Sequence, residues 1–284
     1  MDATGLINID SLKKSKFWFL VLTATLIAIH LTLVSRANDA SLLGTCVLFW
    51  MAISSIVWSK QDGLKLNSGL LSSLGGLLVI ALVLYKSTLI FKYDYFLRFS
   101  PLLSVLGVAL LASGFKGLKQ YWQEFMILCF LIPSPGAIAL IIDISTFTAQ
   151  FATTILWYLG FDVVRQGVFI HLDTGSVEVY PGCSGIESML QMLGLAALFL
   201  VLFPTTKQAK ILVPGMAIIT AFIVNGFRVA LMAVLAASSN LKALNYWHKG
   251  DGSLIFSTLS VAILGLYCLF LLRQSNLDDY SSDY

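Results

Sequence analysis

Long apolar stretches alternate along this chain with short polar connections, and the stretches have membrane-crossing length. A helix needs about 20 apolar residues to cross roughly 30 Å of hydrocarbon. Eight stretches approach that length, at about 17–34, 40–58, 68–91, 99–115, 122–142, 185–203, 211–237 and 254–272. Inside lipid every backbone polar group needs an internal partner, which leaves helices as the natural spanning element. The pattern therefore predicts an all-α polytopic membrane protein, with residues 1–284 forming a single integral membrane domain. One connection, residues 143–184, is long. In it Ile144, Phe147, Phe151, Ile155 and Tyr158 recur at helical spacing, with Thr146, Gln150 and Thr153 opposite, as in a helix lying in the membrane interface. Val168, Ile170 and Leu172, then Asp173-Thr174-Gly175, then Val177 and Val179 predict a small β-hairpin.

Composition sharpens this. The chain is 58% hydrophobic and only 12% charged, against about 25% charged residues in an ordinary soluble domain. That excludes a soluble enzyme and a disordered chain, and a net charge of +3 excludes a nucleic-acid module. The segment from Met1 to Lys16 precedes the first stretch, which has no obvious small-residue cleavage site and so predicts a retained span. Basic residues set the expected orientation. With the N-terminus in the cytoplasm, the inner segments carry ten (Lys13, Lys14, Lys16, Lys60, Lys65, Lys116, Lys119, Lys207, Lys210, Arg273) and the outer ones six (Arg36, Lys92, Arg98, Arg165, Lys242, Lys249). Both termini are then cytoplasmic, including the acidic tail with Asp278, Asp279 and Asp283, and residues 143–184 are extracytoplasmic.

Polar groups in or beside the hydrocarbon are costly and mark candidate sites. Cys46, Cys129 and Cys268 sit in apolar runs, where thiols act as small hydrophobes. Cys183 alone lies among polar residues, in Pro181-Gly182-Cys183-Ser184-Gly185-Ile186-Glu187. Ser184 and Glu187 have capping-box spacing, which predicts a helix starting at Ser184 with Cys183 just ahead of its positive end, where the thiolate is favoured. A plain turn with a small filler is the other reading of these residues. Asn225 and Arg228 share a helix face, with Arg228 about 26 Å along its span and in the outer half. The arginine either snorkels to headgroups, pairs with Glu187, or holds an anion. His248 lies in an expected outer loop before the last span, whereas His30 is inside the first span and His171 in the hairpin. The predicted topology thus brings Cys183, Arg228 and His248 to one face. A thiolate nucleophile, an acid/base imidazole and a fixed positive charge are what acyl transfer needs. Asn225 would orient Arg228, and the Ser184 and Gly185 amides would add donors.

The string Cys183-Ser184-Gly185-Ile186, the Asn225-x-x-Arg228 pair, and His248 followed by Gly252 and Phe256 resemble the exosortase/archaeosortase family. Gly160-Phe161-Asp162-Val163 and Gly175-Ser176-Val177-Glu178-Val179 resemble its cyanobacterial subtype (cyanoexosortase A-like) in particular. The resemblance implies a membrane-embedded cysteine transpeptidase acting on exported proteins. Its substrates would carry a C-terminal sorting signal made of a short PEP-type motif, one transmembrane helix and a basic tail. It also implies Cys183 as nucleophile, Arg228 as oxyanion stabiliser and His248 as general acid/base, with Asn225, Ser184, Gly185 and Glu187 in support. Partners would be such substrates and membrane lipid, with no cofactor, metal or nucleic acid. The competing function is a multi-pass transporter of a small anion held by Arg228, with Lys86 or Glu124 in gating; a scaffold whose polar residues only lock helices is a third. No broken helices recur in matching halves, as a transporter fold would suggest.

Overall fold

The computed structural model describes residues 15–282 apart from Pro135, Gly136, Ala139, Pro204 and Asp251. Lys13, Lys14 and Asp283, counted above for their charge, lie outside the described residues. The chain divides into two compact units at Ile132/Pro133. It is predominantly helical, and the architecture is that of an all-α polytopic membrane protein with one small sheet.

The first unit contains α1 (Ser15–Arg36), α2 (Ala40–Lys60), α3 (Leu70–Thr88), α4 (Phe96–Gly117), a 3₁₀ turn (Leu118–Tyr121) and α5 (Trp122–Cys129). α3 and α4 approach at Gly76 and Gly107: a methyl group on Gly76 would stand 2.7 Å from the Gly107 carbonyl oxygen. Small residues permit this backbone contact where lipid supplies no hydrophobic force between helices. His30 is buried and structural. Trp50 Nε1 donates to its Nδ1 at 3.0 Å, so Nε2 carries the proton and donates to the Leu97 carbonyl at 3.0 Å. Lys86 is exposed in the last turn of α3.

Glu124 is fully buried and pairs with Lys60 at 2.8 Å. The same ammonium donates to the Gln120 carbonyl and lies over the Tyr121 ring. Breaking a buried pair from one side strands the other charge. Lys60→Met is therefore expected to destabilise this unit by about 3–5 kcal/mol. Thermal unfolding in detergent measures the loss, and adding Glu124→Gln should recover most of it.

The second unit contains α6 (Ser145–Tyr158), β1 (Val163–Gln166), β2 (Phe169–Leu172), β3 (Gly175–Glu178), a 3₁₀ turn (Pro181–Cys183), α7 (Ile186–Leu202), α8 (Ala209–Ala237), α9 (Leu241–Lys249) and α10 (Gly252–Ser282). The strands form an antiparallel sheet in the order β1-β2-β3. The predicted hairpin is its β2–β3 half, with Leu172 opposite Gly175. Two two-residue turns make the meander, and Gly167 supplies the positive φ (62°) that the first one needs. Ile170 and Val179 pack with Ala149, Ala152 and Leu156 of α6 and with Val229, Ala230 and Ala233 of α8. Gly175 lets the sheet touch the α8 backbone at Ala237, where Thr174 Oγ1 donates to the Ala237 carbonyl at 2.7 Å. The sheet is thus fixed to the C-terminal end of α8.

α6 buries its small residues and leaves Phe147, Trp157 and Tyr158 exposed. The apolar stripe expected to lie in the interface is therefore turned outward or half-buried, and the packing face is the one made of small side chains.

Six described helices are long and apolar enough to cross a membrane: Lys16–Arg36, Leu42–Lys60, Leu70–Thr88, Phe96–Cys129, Ala209–Ala237 and Leu241–Gln274. Two of the eight expected stretches are not among these six. α7 has 17 residues, short of that length. The stretch 122–142 is not one helix, because α5 stops at Cys129 and Leu140 to Ile142 are exposed outside helix. Pro133 explains the stop, since proline lacks the amide donor and clashes with the preceding turn.

Candidate active site

Three elements of the second unit assemble the site: the Pro181–Cys183 turn, α8 and α9. The turn is held from several directions. The Cys183 amide donates to the Tyr180 carbonyl at 2.8 Å, and Ser184 Oγ donates to the Pro181 carbonyl at 2.7 Å. Two buried side chains then take its outward carbonyls. Asn225 Nδ2 donates to the Cys183 carbonyl at 3.0 Å, and Thr148 Oγ1 of α6 donates to the Ser184 carbonyl at 2.7 Å. Asn225 is 4% exposed and Thr148 and Ser184 are 0%, so these bonds form without competition from water.

These bonds correct several expectations. Ser184 does not cap α7: Gly185 is the N-cap, with φ 95° and no side-chain cap bond, and the helix begins at Ile186. A left-handed φ suits glycine alone at low cost. A methyl group there would also stand 2.8 Å from Asn225 Nδ2, so the bare Cα lets Asn225 reach the turn. Asn225 therefore holds the cysteine backbone through its side-chain nitrogen. The Ser184 amide donates to the Pro181 carbonyl at 3.3 Å, within the turn. Glu187 stands in the first turn of α7, where a carboxylate favours the helix dipole.

Cys183 Sγ lies 3.4 Å from His248 Nε2. His248 sits on α9, a nine-residue helix where a loop was expected. Asn240 starts that helix by accepting from the Ala243 amide at 3.0 Å. Arg228 Nη2 donates to the His248 carbonyl at 3.0 Å and so ties α9 to α8. Trp247 packs edge-on against Phe256 with ring centroids 5.8 Å apart, beside Gly252, which leaves room for Tyr246 and Trp247. Gly226 serves α8 similarly. A side chain there would meet the Phe151 ring at 2.2 Å, and Phe151 stacks on Phe222 at 5.3 Å.

The cysteine, histidine and arginine expected to share a face are thus joined by direct contacts. Tyr180 and Thr148 belong to the site as well, and sequence reasoning passed over both. His30 and His171 do not: the first is locked to Trp50, and the second stacks on Phe169 in β2. Cys46 and Cys268 are buried as expected, but Cys129 is exposed, so Cys183 is not the sole accessible thiol. No group of three or more His, Cys, Asp or Glu among the described residues could hold a metal ion.

A helical membrane protein with a half-buried cysteine–histidine pair and an adjacent arginine has the parts of a thiol acyl-transfer site. The chain belongs to the transmembrane exosortase family, whose family model matches residues 35–265. That span takes in the cysteine turn, the asparagine–arginine pair and the histidine helix. Membership implies, at family level, a transpeptidase that processes the sorting signals of exported proteins. No curated protein and no solved structure matches the chain.

Proposed function

We propose that this protein is a cysteine transpeptidase that cleaves C-terminal PEP-type sorting signals through a thioester and passes the acyl group to an acceptor. The contact between Cys183 Sγ and His248 Nε2, at 3.4 Å, carries this reading. His248 accepts the thiol proton, and the sulfur attacks the scissile carbonyl carbon. The carbonyl oxygen becomes an oxyanion that the Arg228 guanidinium stabilises while one of its N–H groups holds the His248 carbonyl. As the C–N bond breaks, His248 returns the proton to the departing amine. A second nucleophile, deprotonated by His248, then attacks the thioester and frees the cysteine. The reaction takes place at the extracytoplasmic boundary, with both termini in the cytoplasm, and the cleaved helix stays in the bilayer.

Co-expression with a protein bearing a motif, one transmembrane helix and a basic tail tests this. Mass analysis is expected to find a new C-terminus at the motif and, on rapid quenching, an acyl adduct on Cys183. An intact tail, or an adduct on no cysteine, would overturn the proposal.

A further inference from the structure

The strand that leads into the cysteine turn has an open edge. The described strands run in the order β1-β2-β3, so β3 pairs on one side only. Leu172 faces Gly175 and Ile170 faces Val177, and the ladder continues where the Val179 amide donates to the Val168 carbonyl at 3.0 Å. Hydrogen-bonded positions alternate along an antiparallel ladder, so Gly175, Val177 and Val179 turn their main-chain groups to β2. Ser176 and Glu178 turn theirs the other way. These outward amides and carbonyls have no hydrogen-bond partner among the described residues. α6 and α8 pack on the face of the sheet that carries Ile170, Val177 and Val179, and both Ser176 and Glu178 are exposed.

The strand also has a direction. Its first residue, Gly175, touches α8 at Ala237, and the turn beyond it is held by Asn225, twelve residues earlier in the same helix. At 1.5 Å per residue that separation is about 18 Å. The chain from Gly175 to Cys183 therefore runs down α8, from its C-terminal end toward its middle. In the orientation proposed above, this is a descent from the outer surface toward the bilayer. A sorting signal descends as well, because its motif precedes the helix that enters the membrane.

We infer that the open edge of β3 is the docking strand for the sorting signal: the extended segment ahead of the scissile bond joins the sheet as a fourth strand, parallel to β3. The inference rests on the acyl-transfer reading. The outward amides and carbonyls of Ser176 and Glu178 bond the main chain of the peptide, as in other cases where a strand is added to a sheet edge. Beyond Glu178 the strand continues through Tyr180, which is still extended, into the turn that carries Cys183. A peptide that follows this edge is thus led to the sulfur. When the C–N bond breaks, the acyl part stays paired with β3, whereas the departing helix has no hold there. The thioester is thereby kept in place for the second nucleophile. A four-residue edge bearing Glu178 is a poor template for stray peptides, while a signal tethered by its own membrane helix arrives at high effective concentration.

Cross-linking reads the register. A Cys183→Ala, Cys129→Ser background keeps the signal uncut and leaves only the buried Cys46 and Cys268. In it, Ser176→Cys and Glu178→Cys are each oxidised against substrates that carry one cysteine at successive positions of the motif. Each is expected to form a disulfide with one preferred position. The position taken by Glu178→Cys should lie two residues nearer the membrane helix than that taken by Ser176→Cys. A shift in the opposite sense, or no preferred position, overturns the inference. Ser176→Pro tests the rate in an otherwise unaltered chain. The Ser176 N–H points away from β2, so proline is tolerated there and the thermal midpoint should hold. The kcat/KM for processing should fall about 10-fold, through KM. Arg165→Pro makes the same change on the outer edge of β1 and should leave processing as it is. An equal loss in the two proline variants also overturns the inference. Ordered cross-links without processing by the parent overturn the acyl-transfer reading and keep the docking strand, and processing with unordered cross-links does the reverse.

Discussion

Cys183→Ala is expected to abolish sorting-signal processing, lowering the rate by about 10⁴-fold or more, as losing the nucleophile does in enzymes whose reacting groups act as one unit. The fold should be indifferent to the change. The 3₁₀ turn is held by backbone groups and by Ser184, Asn225 and Thr148, none of which uses the sulfur. The thiol is also only half-buried, so its removal leaves a small void. Protein level in the membrane and the thermal midpoint should therefore match the parent, and the uncleaved substrate should accumulate. Cys183→Ser separates chemistry from size. A hydroxyl in the same place is far less ionised at neutral pH than a thiol, so His248 would have to remove its proton during attack. This variant should also be nearly inactive and should form no thioester. Substantial cleavage by Cys183→Ala would mean that the attacking group lies elsewhere.

Much of this site was legible in the sequence because each part leaves a local mark. A cysteine among glycine, proline and serine, an arginine within an apolar run, and a histidine just ahead of one are each out of place in hydrocarbon. Lysines placed elsewhere in the chain predicted that all three would meet. What could not be read was how the cysteine turn is held. Thr148 looks like one more polar residue on an amphipathic helix, and only the packing of α6 brings its hydroxyl to the Ser184 carbonyl. The Ser184–Glu187 spacing suggested a cap, yet Gly185 adopts a left-handed conformation and begins the helix later. Nothing local distinguishes the two, because the choice depends on Asn225 arriving from 40 residues away. β1 escaped notice for a related reason. Val163-Val164-Arg165-Gln166 has no clean apolar alternation, and its order comes from pairing with β2. The stretch 122–142 is apolar enough for one helix, but the helix stops at Cys129 ahead of Pro133, because a helix cannot ignore a missing donor.

Arg228→Lys is expected to lose most activity, by about 10²–10³-fold in the rate constant, while keeping the positive charge. The reason is the number and direction of donors. A guanidinium offers five N–H groups in a rigid plane, and one of them already holds the His248 carbonyl at 3.0 Å. The others remain for a developing oxyanion. A lysine ammonium is a compact charge on a flexible stem and cannot reproduce that planar division of labour. If it moves to the oxyanion it releases α9, and His248 loses its fixed distance from the sulfur. If it stays on the carbonyl, the oxyanion goes unattended. Either choice costs rate more than binding, so kcat should fall with KM little changed. Arg228→Gln should be worse still, because charge and fork are both gone. Iodoacetamide has no oxyanion to stabilise, so in a Cys129→Ser background Cys183 should still be alkylated in Arg228→Lys, which separates this loss from loss of the nucleophile. Processing at the parent rate by Arg228→Lys would show that bulk positive charge suffices and that the fork geometry has no part in the reaction.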